Sequence, residues 1–376
     1  MQVEKILQTL ENEANLRTLT PLKHEGNFVF KQGKKLLNLA GNDYLGLATN
    51  SVLKKEFLGV VREEDLYFSS SSSRSLSGNY EIYERLENTL KHKIQKEVLL
   101  FNSGYQLNSS CIAALASVPH TLFLADRLIH ASMIDGLRGA NFLRFRHNDM
   151  EHLQILLEKN HAKYENIIIL SEALFSMDGD LVKLQELVGL KKKYKNVLLY
   201  IDEAHSVGCF GGGLGLVKEL ELELEVDFLI FTFGKALASM GACMITSKQF
   251  KDFFINKARA LIYSTALPPI NVAFSLFIFE KIASFEKQRV KLKALSEYFK
   301  KILRAKEFEF LGDYYIISLI LKENRKALEV ALRLEENGIF APAIKTPTVP
   351  KNSARIRFSL HANLSEGELD KIAELL

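Results

Sequence analysis

The stretch Val197-Leu-Leu-Tyr-Ile-Asp-Glu-Ala-His205 decides the fold, because an apolar run of strand length is followed at once by Asp202 and His205. A second stretch, Phe228-Leu-Ile-Phe-Thr-Phe-Gly-Lys235, repeats the arrangement with Thr232 and Lys235 at its end. Ligands of open α/β sheets bind at the carboxyl ends of the strands. The two stretches therefore predict both a fold class and the place of a functional site.

Similar apolar runs precede these two stretches and alternate with segments of helical periodicity. Strands that are buried on both faces and separated by helices indicate a mostly parallel α/β sheet. The additional strands are predicted at Val98–Phe101, Thr121–Ala125 and Ile167–Leu170, and the helical segments at Asn108–Ala116, Met150–Leu157 and Leu184–Tyr194.

Both ends of the chain differ from this central pattern. The N-terminal part predicts a helix and then a short hairpin, Phe28–Phe30 with Leu36–Leu39. Beyond about Pro269, an α+β pattern predicts long helices at Phe277–Arg304 and Asn324–Asn337 and strands at Tyr314–Leu321 and Arg355–Leu360. We predict an N-terminal segment, 1–45, that joins the small domain, a large sheet domain, 46–275, and a small C-terminal domain, 276–376.

Composition excludes several classes of protein. The net charge of +4, from 49 basic and 45 acidic residues, is too small and too dispersed to predict nucleic-acid binding. The longest apolar runs fall well short of the roughly 20 residues that a membrane-spanning helix needs. The three cysteines, Cys111, Cys209 and Cys243, are far apart, which argues against a metal site. The charged N-terminus is unlike a signal peptide, so we expect a cytoplasmic protein without membrane association.

The polar residues at the strand ends match the needs of pyridoxal 5′-phosphate. This cofactor takes a lysine amine for its Schiff base and a carboxylate beside its pyridine nitrogen, which Lys235 and Asp202 could supply. Its phosphate needs hydroxyl and backbone N–H groups, available at Thr232 and in the turn Asn102–Tyr105. A lysine after a strand is ordinarily a surface residue, so spacing alone leaves both readings open.

Rival motifs fail on the sequence itself. Asp202-Glu-Ala-His205 spells a helicase string, but neither Gly33-Lys34 nor Gly234-Lys235 belongs to a phosphate loop of the GxxxxGK[ST] form. The glycines around Gly213 do not match GxGxxG, and the chain contains neither GxSxG nor HExxH. The sequence therefore lacks the motifs that would indicate a dehydrogenase, a hydrolase or a metalloprotease.

Six motifs, spread in order over most of the chain, resemble those of the α-oxoamine synthases, a family of pyridoxal-phosphate enzymes. They are Asn42-Asp-Tyr-Leu-Gly-Leu47, Asp126-Arg-Leu-Ile-His-Ala-Ser132, His147-Asn-Asp149, Ser176-Met-Asp-Gly-Asp180, Asp202-Glu-Ala-His-Ser-Val-Gly208 and Thr232-Phe-Gly-Lys235. The resemblance implies a fold-type I, aspartate aminotransferase-like transferase with a large, mostly parallel sheet domain and a smaller α+β domain.

The resemblance also implies site residues. Lys235, His130, Asp202 and His205 would be catalytic. The cofactor would be bound by the same four residues with Gly104, Tyr105, Ser176 and Thr232. Arg17, Thr348 and Arg357 would bind substrate, with Arg355 as a competing clamp for a carboxylate. The sequence departs from the family pattern at four places: Ser69–Ser73 replaces a glycine-rich loop, Tyr83 stands in place of histidine, Leu214 in place of arginine, and Ala236-Leu-Ala238 follows Lys235.

The C-terminal segment from Ala343 to Arg357 resembles that of family members which condense L-alanine with a pimeloyl thioester of coenzyme A or of a carrier protein. The alternative is a member that uses glycine and a short acyl-CoA, of the glycine acetyltransferase or 5-aminolevulinate synthase type. An aminotransferase and an inactive partner subunit are further alternatives. The resemblance implies a homodimer with shared active sites.

Overall fold

The computed structural model describes residues 2–13, 15–346 and 348–376. Its α-helices are α1 (Gln2–Asn12), α2 (Ser51–Val60), α3 (Glu81–Ile94), α4 (Gly104–Ala116), α5 (Ala131–Gly136), α6 (Met150–Asn160), α7 (Leu184–Lys193), α8 (Leu216–Glu219), α9 (Lys248–Lys257), α10 (Arg259–Tyr263), α11 (Pro269–Glu280), α12 (Glu286–Ala305), α13 (Asn324–Glu336) and α14 (Glu366–Glu374). None of the described helices is both long enough and apolar enough to cross a membrane.

The β-strands form three sheets. In chain order they are β1 (Lys23–Glu25), β2 (Phe28–Lys31), β3 (Lys34–Asn38), β4 (Glu97–Phe101), β5 (Thr121–Asp126), β6 (Phe142–Phe145), β7 (Asn166–Glu172), β8 (Val197–Asp202), β9 (Phe228–Thr232), β10 (Ala242–Thr246), β11 (Phe310–Leu311), β12 (Ile316–Lys322), β13 (Ile339–Phe340), β14 (Ala343–Ile344) and β15 (Ala354–Ser359).

The large sheet has seven strands in the order β4-β10-β9-β8-β7-β5-β6. Strand β10 pairs antiparallel with both β4 and β9, and the neighbours from β9 to β6 pair in parallel. Strands β5 and β9 are buried along their whole length, and β7 and β8 at all but one residue each, as expected for a sheet that is covered by helices on both faces. The predicted fold class, a fold-type I transferase with a large and mostly parallel sheet, is confirmed.

The sequence analysis missed two strands of the large sheet and joined two helices. Strand β6 is a short edge strand whose first three residues are exposed, and β10 follows β9 without an intervening helix, so neither shows the alternating pattern. The single helix predicted at Phe277–Arg304 is wrong. Helix α11 ends at Glu280, a 3₁₀ turn follows at Ile282–Phe285, and α12 then begins. Helix α11 is buried on nearly all sides, whereas α12 buries one face, so the two pack separately.

Two smaller sheets accompany the large one: the C-terminal sheet is antiparallel, and the N-terminal sheet is mixed. The C-terminal sheet has the order β11-β12-β15-β14, and the N-terminal hairpin β2-β3 pairs in parallel with β13 through Leu37 and Ile339. The N-terminal segment is thus hydrogen-bonded to the C-terminal part of the chain. The domain boundaries at 45/46 and 275/276 stay a prediction.

The loop after β7 joins the large sheet to the C-terminal sheet. The carbonyl oxygen of Met177 accepts a hydrogen bond from Ser318 Oγ at 2.6 Å, and that of Gly179 accepts one from the N–H of Asp313 at 2.8 Å. The N–H of Leu181 donates to the carboxylate of Asp313 at 2.8 Å. This loop therefore holds the end of β12 and its neighbour β15 against the carboxyl edge of the large sheet.

The burial of His361 lets us predict how the free energy of unfolding depends on pH. This residue is buried after β15, neither ring nitrogen has a hydrogen-bond partner among the described residues, and burial lowers its pKa to about 4. In the unfolded chain, the imidazole of His361 binds a proton near pH 6.5. The neutral, buried ring therefore contributes fully to the stability of the folded state above pH 6.5, and this contribution is lost as the pH falls towards 4. The loss amounts to about 3 kcal/mol at most.

We expect His361→Leu to flatten the fall in melting temperature between pH 7 and pH 5, measured by thermal denaturation. His92→Leu, at an exposed histidine of α3, is the matched control and should keep the wild-type slope. A wild-type slope in the His361→Leu variant would contradict the assignment.

Candidate active site

A cavity of about 190 Å³ lies at the carboxyl ends of β7, β8 and β9 and at the start of α4. Its wall carries a lysine, two carboxylates, two histidines and several hydroxyl groups. The lining residues are Ser103, Gly104, Tyr105, Asn108, His130, Ser132, Glu172, Asp202, Ala204, His205, Thr232, Gly234, Lys235, Met240 and Gly241. Seven of the eight residues predicted to bind a cofactor are therefore brought together around one cavity.

Asp202, the last residue of β8, is held on both carboxylate oxygens. Oδ2 accepts a hydrogen bond from Asn108 Nδ2 at 2.7 Å, and Oδ1 accepts one from the N–H of Ala204 at 2.8 Å. Asn108 is itself oriented by the hydroxyl of Tyr200, which donates to Asn108 Oδ1 at 2.8 Å. The direction of the Asp202 carboxylate is thus set before any ligand binds.

Lys235 follows β9 and faces this carboxylate across the cavity. It makes no hydrogen bond to any residue that the structure describes, and burial lowers the pKa of its amine, while Asp202 and Glu172 oppose that shift. Arg357 also lies close enough for its charge to lower the same pKa. Because its pKa is depressed, a buried lysine is neutral to a larger extent near pH 7 than a solvated one, and the neutral amine is the form that acts as a nucleophile or base.

His130 is positioned by the start of α5. Its Nδ1 atom lies 2.8 Å from Ser132 Oγ and accepts the N–H of Ser132 at 3.2 Å. Since Nδ1 accepts, the ring proton belongs on Nε2. Burial lowers the pKa of His130, which favours a neutral ring at the cavity wall.

His205 is buried beneath the cavity and connects it to Arg357. Its Nδ1 atom is 2.6 Å from the hydroxyl of Tyr44, and Arg357 Nη2 donates to the same hydroxyl at 3.4 Å. Burial lowers the pKa of His205 well below its usual value, and the charges of Lys235 and Arg357 act in the same direction. We infer that the imidazole of His205 is neutral and that it contacts the Tyr44 hydroxyl, which also accepts a hydrogen bond from Arg357.

The start of α4 suits an anion. The first N–H groups of a helix have no intrahelical partner, and Ser103 caps only that of Gln106, at 3.2 Å. A Cβ atom at Gly104 would lie 2.5 Å from Thr232 Cγ2, so glycine alone allows the helix to approach β9 this closely. The hydroxyl of Thr232 completes this end of the cavity.

Glu172 is a second carboxyl group in the cavity wall. It pairs in register with Asp202 on the neighbouring strand, and its Oε1 has no hydrogen-bond partner among the described residues. Burial and the charge of Asp202 raise its pKa to about 8. A buried polar atom without a partner is costly, so this oxygen marks a place where a bound group is expected.

The two arginines of β15 have different partners. Arg355 Nη1 donates to the carbonyl oxygen of Met177 at 3.1 Å and forms an ion pair with Asp178. Arg357 donates to the carbonyl oxygen of Ser176 at 2.5 Å and to Ser359 Oγ at 2.6 Å, and it has no carboxylate partner in the described part of the chain. Arg357 is therefore the arginine whose charge is left for a bound carboxylate.

The remaining predicted residues lie outside the cavity. Ser176 does not line it, although its carbonyl oxygen holds Arg357. Arg17 donates to Thr348 Oγ1 at 3.1 Å, and Thr348 lines a second, larger cavity of about 630 Å³ with Met177, Asp178 and Arg355. The structure therefore separates the predicted substrate residues: Arg357 lies among Ser176, Ser359 and Tyr44, whereas Arg17 and Thr348 lie at this second cavity.

Two of the departures from the family pattern, Tyr83 and Leu214, lie away from both cavities. Tyr83 is buried, donates to the carbonyl oxygen of Leu267 at 2.8 Å and carries the guanidinium of Arg74 over its ring at 4.5 Å. Leu214 packs against the main hydrophobic core. Neither residue contributes to the wall of either cavity.

Comparison with known proteins identifies the family. A model of the aminotransferase class I and II family matches residues 34–376. The 8-amino-7-oxononanoate synthase of Haemophilus ducreyi is 44% identical over 384 residues, covering 99% of each chain. The putative 8-amino-7-oxononanoate synthase of Glaesserella parasuis is 45% identical, covering 96% of each chain. Within the aminotransferase class I and II family, the chain belongs to the α-oxoamine synthases.

Solved structures of α-oxoamine synthases agree with this assignment. The serine palmitoyltransferase of Sphingomonas wittichii superimposes with a TM-score of 0.88 at 25% identity, over 100% of this chain and 95% of the other. The 8-amino-7-oxononanoate synthase of Francisella tularensis gives 0.77 at 25% identity, over 90% and 96%. The α-oxoamine synthase described here is an acyltransferase whose cofactor is pyridoxal 5′-phosphate.

The cavity fits this cofactor. Lys235 would hold it covalently, Asp202 would face the pyridine nitrogen, and the start of α4 with Thr232 would bind the phosphate. The close approach at Gly104 and the unpaired oxygen of Glu172 are features of this chain that a bound group explains. These individual roles stay predictions.

The sequence analysis missed residues that orient the predicted ones. Asn108 lies within a helix, Glu172 ends a strand and Tyr44 belongs to a motif whose contacts are distant in sequence. Asn108 contacts Asp202, 94 residues away, and Tyr44 contacts His205, 161 residues away. For Glu172, a signal was present, because it follows Ile167–Leu170 as Asp202 follows Val197–Ile201.

Proposed function

We propose that this enzyme condenses L-alanine with a pimeloyl thioester, giving 8-amino-7-oxononanoate, carbon dioxide and free thiol. The proposal is carried by the relatives of that name, which are 44–45% identical over nearly the whole chain. It places the enzyme in biotin biosynthesis. The cytoplasmic location, the homodimer with shared active sites and the choice between coenzyme A and a carrier protein as the thiol belong to the same proposal.

Lys235 has two tasks in this reaction. Its amine would hold the cofactor covalently, and the same amine would move the α-proton of the amino acid. The buried site lowers the pKa of the free amine, so it can take that proton and return a proton at the end. Bound pyridoxal phosphate supplies the electron sink that stabilises negative charge at the α-carbon.

Arg357 would orient the amino acid. A guanidinium binds a carboxylate through two parallel hydrogen bonds, which fixes the bonds of the α-carbon relative to Lys235. Ser176, Ser359 and Tyr44 hold the guanidinium from its other sides. His130, a neutral ring beside the site, would cover one face of the cofactor and exclude water from it.

We expect Arg357→Lys to raise the dissociation constant for L-alanine by about 10- to 100-fold, because lysine cannot form the paired hydrogen bonds. Titration of the holoenzyme, followed by the absorbance of the cofactor, measures this constant. Arg355→Lys is the matched control, since lysine can keep the ion pair with Asp178, and its constant should stay within about threefold of wild type. A larger effect at Arg355 than at Arg357 would reverse the assignment.

The larger cavity supports the thioester half of the proposal. Its volume of about 630 Å³ suits a substrate bigger than an amino acid. Its wall combines apolar side chains with Arg127 and Arg144, while the lining carboxylates Glu309 and Asp178 are paired with Lys322 and Arg355. Such a wall can take an acyl chain and an anionic carrier. Arg17 reaches the same wall through Thr348.

The alternative is a reaction of glycine with a short acyl-CoA. The high structural similarity to serine palmitoyltransferase, with a TM-score of 0.88, shows that the same architecture serves other amino acids and donors. An aminotransferase would need no thioester, and an inactive partner subunit would not depend on Lys235.

Thiol release by the holoenzyme tests these possibilities. L-Alanine or glycine is combined with pimeloyl, acetyl, succinyl or palmitoyl thioesters, and free thiol is measured. We expect release with alanine and the pimeloyl donor. Release with glycine and a short donor would overturn the proposed substrates, and the absence of release with every pair would overturn the acyltransfer reaction.

A further inference from the structure

His147 lies between two carboxylates that belong to different loops. Its Nδ1 is 2.9 Å from Asp126 Oδ1, and its Nε2 is 2.9 Å from Asp180 Oδ2. A ring that meets a carboxylate at each nitrogen donates at both, so it is a cation. Burial lowers the pKa of His147, but the hydrogen bonds and charges of Asp126 and Asp180 outweigh burial and raise it to about 10.

One partner of His147 begins the loop that carries His130. Asp126 ends β5, is fully buried, and accepts the N–H of Leu128 at 2.8 Å and that of Asn148 at 2.9 Å. His130 follows Asp126 by only four positions in the chain. The ring of His130 at the cofactor cavity is therefore tied, through this short loop, to the carboxylate that His147 contacts.

The other partner closes the turn after β7. The carbonyl oxygen of Asp180 accepts the N–H of Phe175 at 3.0 Å, and its carboxylate accepts Asn148 Nδ2 at 2.6 Å. The ring of His147 also packs edge-on against Phe175, with ring centroids 4.5 Å apart. The same turn presents the carbonyl oxygen of Ser176, which holds Arg357 Nε at 2.5 Å.

The imidazolium of His147 separates the carboxylates of Asp126 and Asp180. A third carboxylate, Asp178, comes within 4.8 Å of the imidazole and Asp180, and Arg355 pairs with it. Removal of the imidazolium would leave Asp126 and Asp180 facing each other without a cation. Repulsion between partly buried carboxylates would then push the two loops apart.

We propose that His147 is a positioning residue that joins the loop of His130 to the turn of Ser176 and thereby fixes the Arg357 guanidinium for the amino-acid carboxylate. It acts through Asp180 and the Phe175–Ser176 backbone, and it touches neither substrate nor cofactor. The proposal rests on the proposed function in one respect, namely that Arg357 binds the carboxylate of the amino acid.

A double-mutant cycle of His147→Gln and Asp180→Asn tests the proposal in the holoenzyme. The readouts are the dissociation constant for L-alanine, obtained from the cofactor absorbance, together with kcat and the melting temperature. We expect His147→Gln to raise that constant about 10-fold or more, with kcat at saturating alanine within about threefold of wild type. The double variant should recover most of the affinity, because no unpaired carboxylate remains in the turn.

His152→Gln is the matched control. His152 lies in the first turn of α6 and accepts the N–H of Arg146 at 2.9 Å, and in the described part of the chain no hydrogen bond joins its side chain to the Asp126–His130 loop or to the Phe175–Asp180 turn. Its dissociation constant for alanine should equal that of wild type. A His147→Gln variant with a lower melting temperature but an alanine affinity within twofold of wild type would show a purely structural role and overturn the proposal, as would additive effects in the cycle.

Failure of this proposal is distinguishable from failure of the proposed function. A wrong acyl donor would appear in the wild-type enzyme as thiol release with another thioester, while amino-acid binding and its dependence on His147 would be unaffected. Failure of the positioning role would appear only in the comparison of the variants with wild type.

Discussion

Replacing Lys235 by alanine is expected to reduce thiol release by more than about 10³-fold and to abolish covalent retention of the cofactor. The amine is the group in the cavity that can both bind the cofactor covalently and move the α-proton, since the neighbouring carboxylates and neutral histidines cannot form the covalent link. Its buried position also favours the neutral, reactive form of the amine.

Borohydride reduction followed by peptide mass spectrometry measures the covalent link, and thiol release measures the rate. Wild type should carry the cofactor mass on the peptide with Lys235, and the variant should not. Lys193→Ala, at an exposed lysine of α7, is the control and should behave as wild type. Unchanged thiol release in Lys235→Ala would overturn the catalytic role of this residue.

Asp202→Asn is expected to lower kcat by about 10²-fold or more and to weaken cofactor binding. Asparagine keeps the shape of the side chain and its hydrogen bond from the N–H of Ala204, but it removes the negative charge that would face the pyridine nitrogen. Without that charge, the ring nitrogen loses its proton more easily, and the ring withdraws electrons from the α-carbon less strongly.

Steady-state kinetics and the absorbance spectrum of the bound cofactor measure this effect. The neighbouring carboxyl group of Glu203 is the control, because it accepts N–H groups of Leu216 and Val217 at 2.8 and 2.7 Å, away from the cavity. Glu203→Gln should lower the melting temperature and leave the cofactor spectrum unchanged. If the Asp202→Asn variant had the same cofactor spectrum and the same kcat as wild type, the role assigned to Asp202 would be wrong.

Much of the cofactor cavity could be predicted from local sequence patterns. Residues 197–205 and 228–235 each place polar groups directly after a buried strand, and the carboxyl ends of parallel strands meet at one edge of a sheet. Lys235 and Asp202 therefore had to lie near one another once the strands were recognised. The same reasoning was weaker for β6 and β10, because an exposed edge strand and a strand without a preceding helix lack the pattern.

Contacts between distant segments could not be predicted in this way. Asn108 is one polar residue of a helix with no sign in its neighbours that it holds Asp202. His147 belongs to a motif that the sequence analysis used for family resemblance, yet its contacts with Asp126 and Asp180 appear only when three loops are folded together. Helix and strand periodicity report which face is buried, and they do not report which residues meet there.

Arg355 and Arg357 show what the sequence alone determines and what only the tertiary structure adds. By itself, the sequence determined that β15 carries two arginines on one face, since residues two apart in a strand point to the same side. Only the tertiary structure distinguished them, because the turn after β7 brings the Asp178 carboxylate to Arg355 and a carbonyl oxygen to Arg357. A neutral partner leaves the charge of Arg357 uncompensated, and an uncompensated buried charge favours a bound anion, which is the physical reason for the proposal that Arg357 binds the substrate carboxylate.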